Sequence, residues 1–432
     1  MEKKHPKWSP ERIVRLVVAA LLAAWAAVSL ARVVQQTLSS AGGNDLYTYW
    51  YAGHFLREGK DPFAAFIAGE LPSVPVRYLD RTVTDLDEVI FPGLVPAPAS
   101  PPAAFYLFAP LAFLSWKAAK LAWLVLNLLL LGLIPLLLGR FFPLRPWLDR
   151  LEVFGLACVL VGLTATRYAA ASGQITFLVL DLMLATVILA PRRPWLAGLL
   201  LGLALSKYSL SIGILLLFTL LEPKPKLVLA AVLVQLAGVA ALLLQTGTSL
   251  ASFVHEYLQM VNLHANMEGI HLAGLFPRSG WDVGIGLALT AVVALPLLVW
   301  RIRLGGGFFR PLPDLSRTVL AVLLSLWSLL VVYHRAYDAM VMIVFLALAA
   351  GLARHPQAWR LSKPLRAGLL AFAALTGVLL MVPSGEVVRG LLPDALENWW
   401  GQAADLTTTI LILVSLGVSC LLLFRLREEV KA

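Results

Sequence analysis

Stretches of almost unbroken apolar residues recur along the whole chain. They fall at about 12–34, 103–116, 118–139, 151–166, 173–190, 194–221, 225–246, 281–300, 315–333, 336–353, 366–383 and 403–425. A helix needs about 20 such residues to cross the hydrocarbon core of a bilayer, and most of these stretches approach that length. Two fit less simply: 103–116 is short, and 194–221 is long and carries Lys207 in its middle. The pattern predicts an all-α polytopic membrane protein with about 12 hydrophobic segments. It forms a single integral membrane domain over 1–432, with residues 35–102 and 247–280 as its first and second extracytoplasmic loops. No internal repeat of the kind that builds transporters is visible.

Basic residues between the segments set the orientation. Lys3, Lys4, Lys7, Arg12 and Arg15 place the N-terminus in the cytoplasm by the positive-inside rule. The same rule holds Glu222-Pro-Lys-Pro-Lys226, the run Arg301, Arg303, Arg310 and the run Arg354, Arg360, Lys363, Arg366 inside. Alternation then puts 247–280, 333–338 and 384–402 outside, and Arg425 and Arg427 inside, so both termini are cytoplasmic. Between 103 and 221 two arrangements compete. Plain alternation leaves Arg140, Arg145, Arg150 and Arg192-Arg193 outside, against the charge rule. In the other, 103–116 dips in and returns and 194–221 is two short helices meeting near Lys207. That arrangement moves those arginines inside and turns Arg167, Gln174 and Lys207 outward, and the charge rule favours it. The first segment also has Ser39 and Ala41 before Gly42, a small-residue pattern open to reading as a signal-peptide site; a retained membrane helix is the reading adopted.

Composition agrees and narrows the classes. The chain is 59% apolar and 14% charged, against about 45–50% and about 25% in soluble domains. That excludes an ordinary globular enzyme, a secreted module and a disordered chain. Cys158 and Cys420 both lie in apolar runs, so neither a disulfide framework nor a zinc site is expected. A net charge of +10 would suggest nucleic acid in a soluble protein. Here most basic residues flank apolar segments, so no nucleic-acid partner is expected.

Chemistry is expected in the first loop. Residues 35–102 carry eight acidic and four basic residues. Asn44-Asp-Leu-Tyr-Thr-Tyr-Trp-Tyr-Ala-Gly-His-Phe-Leu-Arg-Glu-Gly59 reads as an amphipathic helix lying on the membrane plane, with Tyr47, Tyr49, Trp50, Tyr51 and Phe55 in the interfacial belt. Asp45 sits where the first membrane helix emerges, and a helix dipole there stabilises its charged form; an N-cap is the bland alternative. Pro96, Pro98, Pro101 and Pro102 mark a loop returning to the bilayer, and 60–102 is read as a lid or as a disordered spacer. The cluster Asp80–Glu88 is more simply a solvated face than a metal site. Lys207 is a charge within an apolar stretch, a functional signal by default, with an ion pair to Asp181 as its structural alternative. Gln174, His334 and Asp338 are further candidates, each open to a purely structural reading. His264 and His271 flank the second loop without metal-ligand spacing, and Tyr257 and Trp281 there suit the interface.

Asp45-Leu-Tyr-Thr-Tyr-Trp-Tyr-Ala-Gly-His54, followed by the Gly-x-x-Pro-Phe turn at 59–63, resembles the GT-C superfamily of lipid-sugar glycosyltransferases. More specifically the chain is similar to glycosyltransferase family 87, the polyprenol-phosphate-mannose-dependent α-mannosyltransferases. Pro101-Pro-Ala-Ala-Phe-Tyr-Leu-Phe-Ala-Pro110 resembles that family's proline-led second helix. Gly173-Gln-Ile-Thr176 resembles its Gly-Gln-hydrophobic-Asn motif, with Thr176 in place of Asn. Gly198-Leu-Leu-Leu-Gly-Leu-Ala-Leu-Ser-Lys207 resembles its lysine-ended helix, and Tyr333-His-Arg-Ala-Tyr-Asp338 its late motif.

The resemblance implies a GT-C fold, an outward-facing site in the cell membrane and a polyprenyl-phosphate sugar donor. It implies a lipid or glycan acceptor and Asp45 as the base on its hydroxyl, in a metal-independent inverting displacement. No cofactor is implied. Phosphate is a good leaving group, so one base and nearby positive charge suffice. Lys207, Arg167 and Arg335 are the candidates for the donor phosphate. Tyr47, Tyr49, Gln174, His334 and Asp338 are the candidates for sugar and acceptor. A transporter or flippase of lipid-linked sugars is the alternative from another class, and a structural partner in envelope assembly a third.

Overall fold

The computed structural model describes residues 9–39, 42–68, 70, 76–78, 81–83, 100–142, 148–265, 270–272, 282–303, 311–332, 334–355, 361–382 and 393–426. Lys3, Lys4, Lys7, Ala41, Asp80, Asp85, Asp87, Glu88, Pro96, Pro98, Arg145, Trp281, Arg310, Tyr333, Arg360 and Arg427 lie outside the described residues, as does the side chain of His264.

Among the described residues helix follows helix, with one short hairpin between them. Helix α1 (Pro10–Leu38) starts with Pro10 at its first position and Ser9 accepting a hydrogen bond from the Arg12 amide, an arrangement that satisfies one of the orphan amides of a helix start. Then come α2 (Asn44–Arg57), α3 (Pro62–Ile67) and a short antiparallel hairpin of β1 (Val76–Tyr78) and β2 (Arg81–Val83), paired Val76 to Val83 and Tyr78 to Arg81. Helix α4 (Pro102–Phe108) runs into a 3₁₀ turn at Ala109–Phe113. There follow α5 (Trp116–Phe141), α6 (Arg150–Gly162), α7 (Thr164–Ser172), α8 (Thr176–Leu189), α9 (Pro194–Ala204), α10 (Tyr208–Leu216) and α11 (Pro225–Thr246). The remainder is α12 (Leu250–Ala265), α13 (Asp282–Arg303), α14 (Asp314–Val331), a 3₁₀ turn at Ala336–Met342, α15 (Ile343–Arg354), α16 (Lys363–Met381) and α17 (Asp394–Leu426). Among the described residues eight helical stretches are long and apolar enough to cross a membrane, and α6 with α7 makes a further one bent by 59°.

Side-chain contacts give the direction of each helix. At one end of the bundle Arg15 and Arg354 both pair with Asp149 and Glu152, joining the start of α1, the start of α6 and the end of α15. At the other end Lys120 donates to Ser39 O, Trp123 Nε1 to Gly173 O, and the Gly43 amide to Ala171 O. Helix α4 enters and leaves on this second side: Tyr49 holds Ser100 ahead of it, and Trp50 and Arg57 donate to Leu114 O and Ala112 O behind it.

The stretch Pro194–Leu221 has the length of one crossing, yet it doubles back at Lys207. Lys207 leaves helical geometry (φ −124°, ψ 73°), and Ser211 Oγ donates to Ala204 O at 3.0 Å, seven residues earlier. In a straight helix residues seven apart are separated by about 10 Å along the axis. Gly198 packs on Leu227 and Ala230 at one limb's start, while Arg317 pairs with Glu222 at the other limb's end. Both limbs therefore begin and finish at the Arg15 end. Arg140, Arg150 and Arg192-Arg193 fall at that end too, and Arg167, Gln174 and Lys207 lie towards the other. Small residues allow the close approach: a side chain at Gly198 would overlap Leu227, and one at Gly213 would overlap Leu324.

One expectation needs correction. The aromatic residues of α2 do not form an interfacial belt: Leu46, Tyr47 and every residue from Tyr49 to Leu56 are buried, beneath α3, α4 and the start of α5. Those aromatic residues serve protein packing instead. Within the second loop, α12 packs Phe253 and Tyr257 on Phe63.

Candidate active site

The turn from α1 into α2 is fixed by Gly43, whose φ of 86° suits glycine. Gly43 occupies the cap position of α2 and makes no side-chain cap, so Asp45 is the second residue of the helix rather than its N-cap. The Asp45 carboxylate is half-buried and, among the described residues, takes no hydrogen bond or ion pair. Its neighbours Gly43 and Leu46 pack on the end of α7: at Gly173, with φ 75°, a Cβ would overlap Leu46. With its lone pairs open, the carboxylate can accept a proton.

Tyr49 lies one turn further on. Its hydroxyl shares a 2.8 Å hydrogen bond with Ser100 Oγ. Burial raises the phenol well above its ordinary value, and the negative charges of Asp45 and Asp338 act in the same sense. Tyr49 is thus a neutral hydroxyl within electrostatic reach of both carboxylates. Tyr47, two residues away, turns to a separate aromatic cluster with Trp50, Tyr51 and Trp116 at ring-centroid distances of 5.7, 5.5 and 5.1 Å. Tyr47 is not brought to the polar site.

Beyond Gly173 the chain delivers Gln174 and Thr176 to Lys207. The Lys207 ammonium donates to Asp338 Oδ1 at 2.6 Å, Thr176 Oγ1 at 2.9 Å and Gln174 Oε1 at 3.0 Å, and it lies 4.7 Å from the centre of the Tyr337 ring. Three N–H groups meet three oxygens, which is all an ammonium can offer. Thr176 Oγ1 donates in turn to Asp338 Oδ1 at 2.9 Å. The second Asp338 oxygen faces His334 Nδ1 at 2.8 Å, and His334 Nε2 faces Ser209 O at 3.2 Å. Both ring nitrogens therefore meet oxygens.

Lys207 is therefore not paired with Asp181. Asp181 lies deeper on α8, and neither of its oxygens has a hydrogen-bond partner among the described residues. The reason lies in the 3₁₀ turn at Ala336–Met342, which carries Asp338 across to the Lys207 break. Arg335 is half-buried beside His334, and its carbonyl accepts the Asp338 amide. His271 is buried, next to Ile270, whose amide donates to His334 O. Arg167 is 5% exposed, with Nη2 unpartnered.

Sequence reasoning missed Tyr168 and Tyr337, whose rings stack at 5.6 Å beside Lys207. It noted Thr176 only as a departure from a motif, although that hydroxyl joins Lys207 to Asp338. Alongside Tyr168 opens a cavity of about 250 Å³, mostly apolar, between Thr164, Ala336, Val382, Trp399 and Trp400. Among the described residues no group of three or more His, Cys, Asp or Glu could hold a metal ion.

The arrangement combines an unpartnered carboxylate, a compact cationic cluster and an apolar cavity at one end of a helical bundle. Such a set can remove a proton from a hydroxyl and stabilise an anionic leaving group. No curated protein and no solved structure matches the chain. The sequence model described as Glycosyltransferase family 87 matches residues 100–331, a span that holds Arg167, Gln174, Thr176 and Lys207 and leaves Asp45, His334 and Asp338 outside it. More than half of the chain being matched, the protein is a membrane glycosyltransferase belonging to glycosyltransferase family 87.

Proposed function

We propose that the protein moves a hexose, mannose first among the candidates, from a polyprenyl-phosphate donor to a lipid or glycan acceptor on the extracytoplasmic side of the cell membrane. The observation that carries this reading is the unpartnered Asp45 carboxylate, set within electrostatic reach of the same tyrosine as Asp338. The acceptor hydroxyl attacks the anomeric carbon as Asp45 takes its proton. The carbon–oxygen bond to phosphate breaks, its electron pair leaves with the polyprenyl phosphate, and the anomeric configuration inverts. General-base assistance of this kind contributes typically about 10²–10⁴ in rate.

Positive charge for the leaving phosphate comes from Lys207, Arg167 and Arg335. The three acceptors already on Lys207 limit it to a direct contact only where the phosphate replaces one of them, and neutral Gln174 is the cheapest to displace. Gln174, His334 and Asp338 then hold the sugar and acceptor, with Tyr49 donating a hydrogen bond. The cavity beside Tyr168 suits an isoprenoid chain, being apolar and ending at two tryptophans. Basic residues at the Arg15 end make that end cytoplasmic, with both termini inside and Asp45 outside. Purified protein should release polyprenyl phosphate from one member of a panel of polyprenyl-phosphate sugars, in the absence of any ion gradient. A protein that moves lipid-linked sugars between leaflets but leaves every donor intact would be the transporter instead.

A further inference from the structure

Two arginines lie within electrostatic reach of each other where α1 packs on α7, and among the described residues neither pairs with a carboxylate. Arg32 is exposed on the outer surface of α1, six residues before the helix ends at Leu38. The sixteen residues between Arg15 and Arg32 carry no charge and span about 24 Å of helix, close to the thickness of a hydrocarbon core. Arg32 therefore stands at the level where lipid headgroups begin. Arg167 lies opposite it. Trp25 Nε1 donates to Gly162 O at 2.9 Å and Thr37 Oγ1 approaches Ala170 O at 3.4 Å. Arg32 falls between the first pair of these residues and Arg167 between the second. The charge of Arg32 acts on Arg167, whose Nη2 is enclosed and has no hydrogen-bond partner.

A single arginine near a helix end snorkels to the headgroups and needs no ligand. An enclosed guanidinium facing a second one is different. Like charges held together away from bulk water cost free energy that an anion between them returns. The anion must reach the pair from the bilayer side, because Arg32 opens onto the outer face of α1. Guanidinium forks match phosphate oxygens, and phosphate is the anion that lipids carry at this depth. Six residues, about 9 Å of helix, separate Arg167 from Gly173 and the Lys207 cluster. Lys207 itself has no N–H left to give.

We propose that Arg32 and Arg167 together bind the phosphate of a membrane lipid, which, resting on the function proposed above, is that of the polyprenyl donor. The test measures binding of polyprenyl monophosphate, uncharged polyprenol and phosphatidylglycerol to the full-length protein by native mass spectrometry. Wild-type protein should hold polyprenyl monophosphate at least tenfold more tightly than polyprenol. Arg32→Gln, at an exposed position that leaves the fold intact, should erase that margin, and Arg32→Lys should restore part of it. Arg167→Gln should do the same wherever its thermal unfolding matches wild type. If Arg32→Gln leaves the affinity for both phosphate lipids unchanged, the site is disproved. If both phosphate lipids bind equally in wild type and both weaken in Arg32→Gln, the lipid-phosphate site stands and the polyprenyl-donor reading is what fails.

Discussion

Asp45 and Asp338 put the same carboxylate into opposite circumstances. Asp338 is 2% exposed and receives Lys207, Thr176 and His334, whereas Asp45 receives none of them. Breaking one side of a buried charge pair costs about 3–5 kcal/mol, because the other charge is left uncompensated. Asp338→Asn and Lys207→Met should each lower the unfolding temperature, and the double variant should lose less than the sum of the two. Additive losses in that cycle would mean that the two groups are not coupled. Asp181→Asn should not rescue Lys207→Met, since Asp181 is not the partner. The sequence marks Lys207 as an expensive charge needing a reason, but it contains no signal that the reason lies 131 residues downstream.

At the scale of elements, the order and approximate position of nearly every helix were legible as apolar runs bounded by basic residues and prolines. The return at Lys207 was legible too, because each half of 194–221 is too short to cross alone and the arginines needed a consistent side. The burial of helix α2 was not, since its run of aromatic residues reads equally as an interfacial belt or as protein packing. Nor was the bend between α6 and α7, which has no proline or glycine pair at Leu163 to announce it. Two outcomes check the hairpin. With Cys158 and Cys420 replaced, a cysteine at position 172 should react with an impermeant thiol reagent from outside, and one at position 192 should not. The reverse pattern would overturn the orientation. Gly198→Val should push α9 off α11 and destabilise by about 1–3 kcal/mol, the usual cost of overpacking; unchanged thermal unfolding would mean that the limbs are not in contact there.

Across the whole molecule, chemistry and anchoring occupy opposite ends. The clamp of Arg15, Arg354, Asp149 and Glu152 ties α1, α6 and α15 far from the site. Partial burial alone would raise the Asp149 carboxyl, but the hydrogen bonds from Arg15, the Glu152 amide and Arg354 outweigh it and bring the group down to about 2. A carboxyl lowered by folding stabilises fully above its unfolded value, and that contribution is lost as pH falls through the folded one. The unfolding temperature should therefore gain nothing from this clamp below about pH 2, recover that gain between about pH 2 and 4, and keep it in full, independent of pH, above. Asp149→Asn should flatten that window without altering turnover at neutral pH.

The central claim places the reacting proton on Asp45. Asp45→Asn keeps the size of the side chain, and Gly43 rather than Asp45 holds the cap, so folding and donor binding should both survive. The decisive measurement is single-turnover release of polyprenyl phosphate from a bound polyprenyl-phosphate hexose, with donor affinity measured on the same preparation. The account predicts a rate at least 10²-fold below wild type with donor affinity unchanged. A near wild-type rate in Asp45→Asn would contradict it.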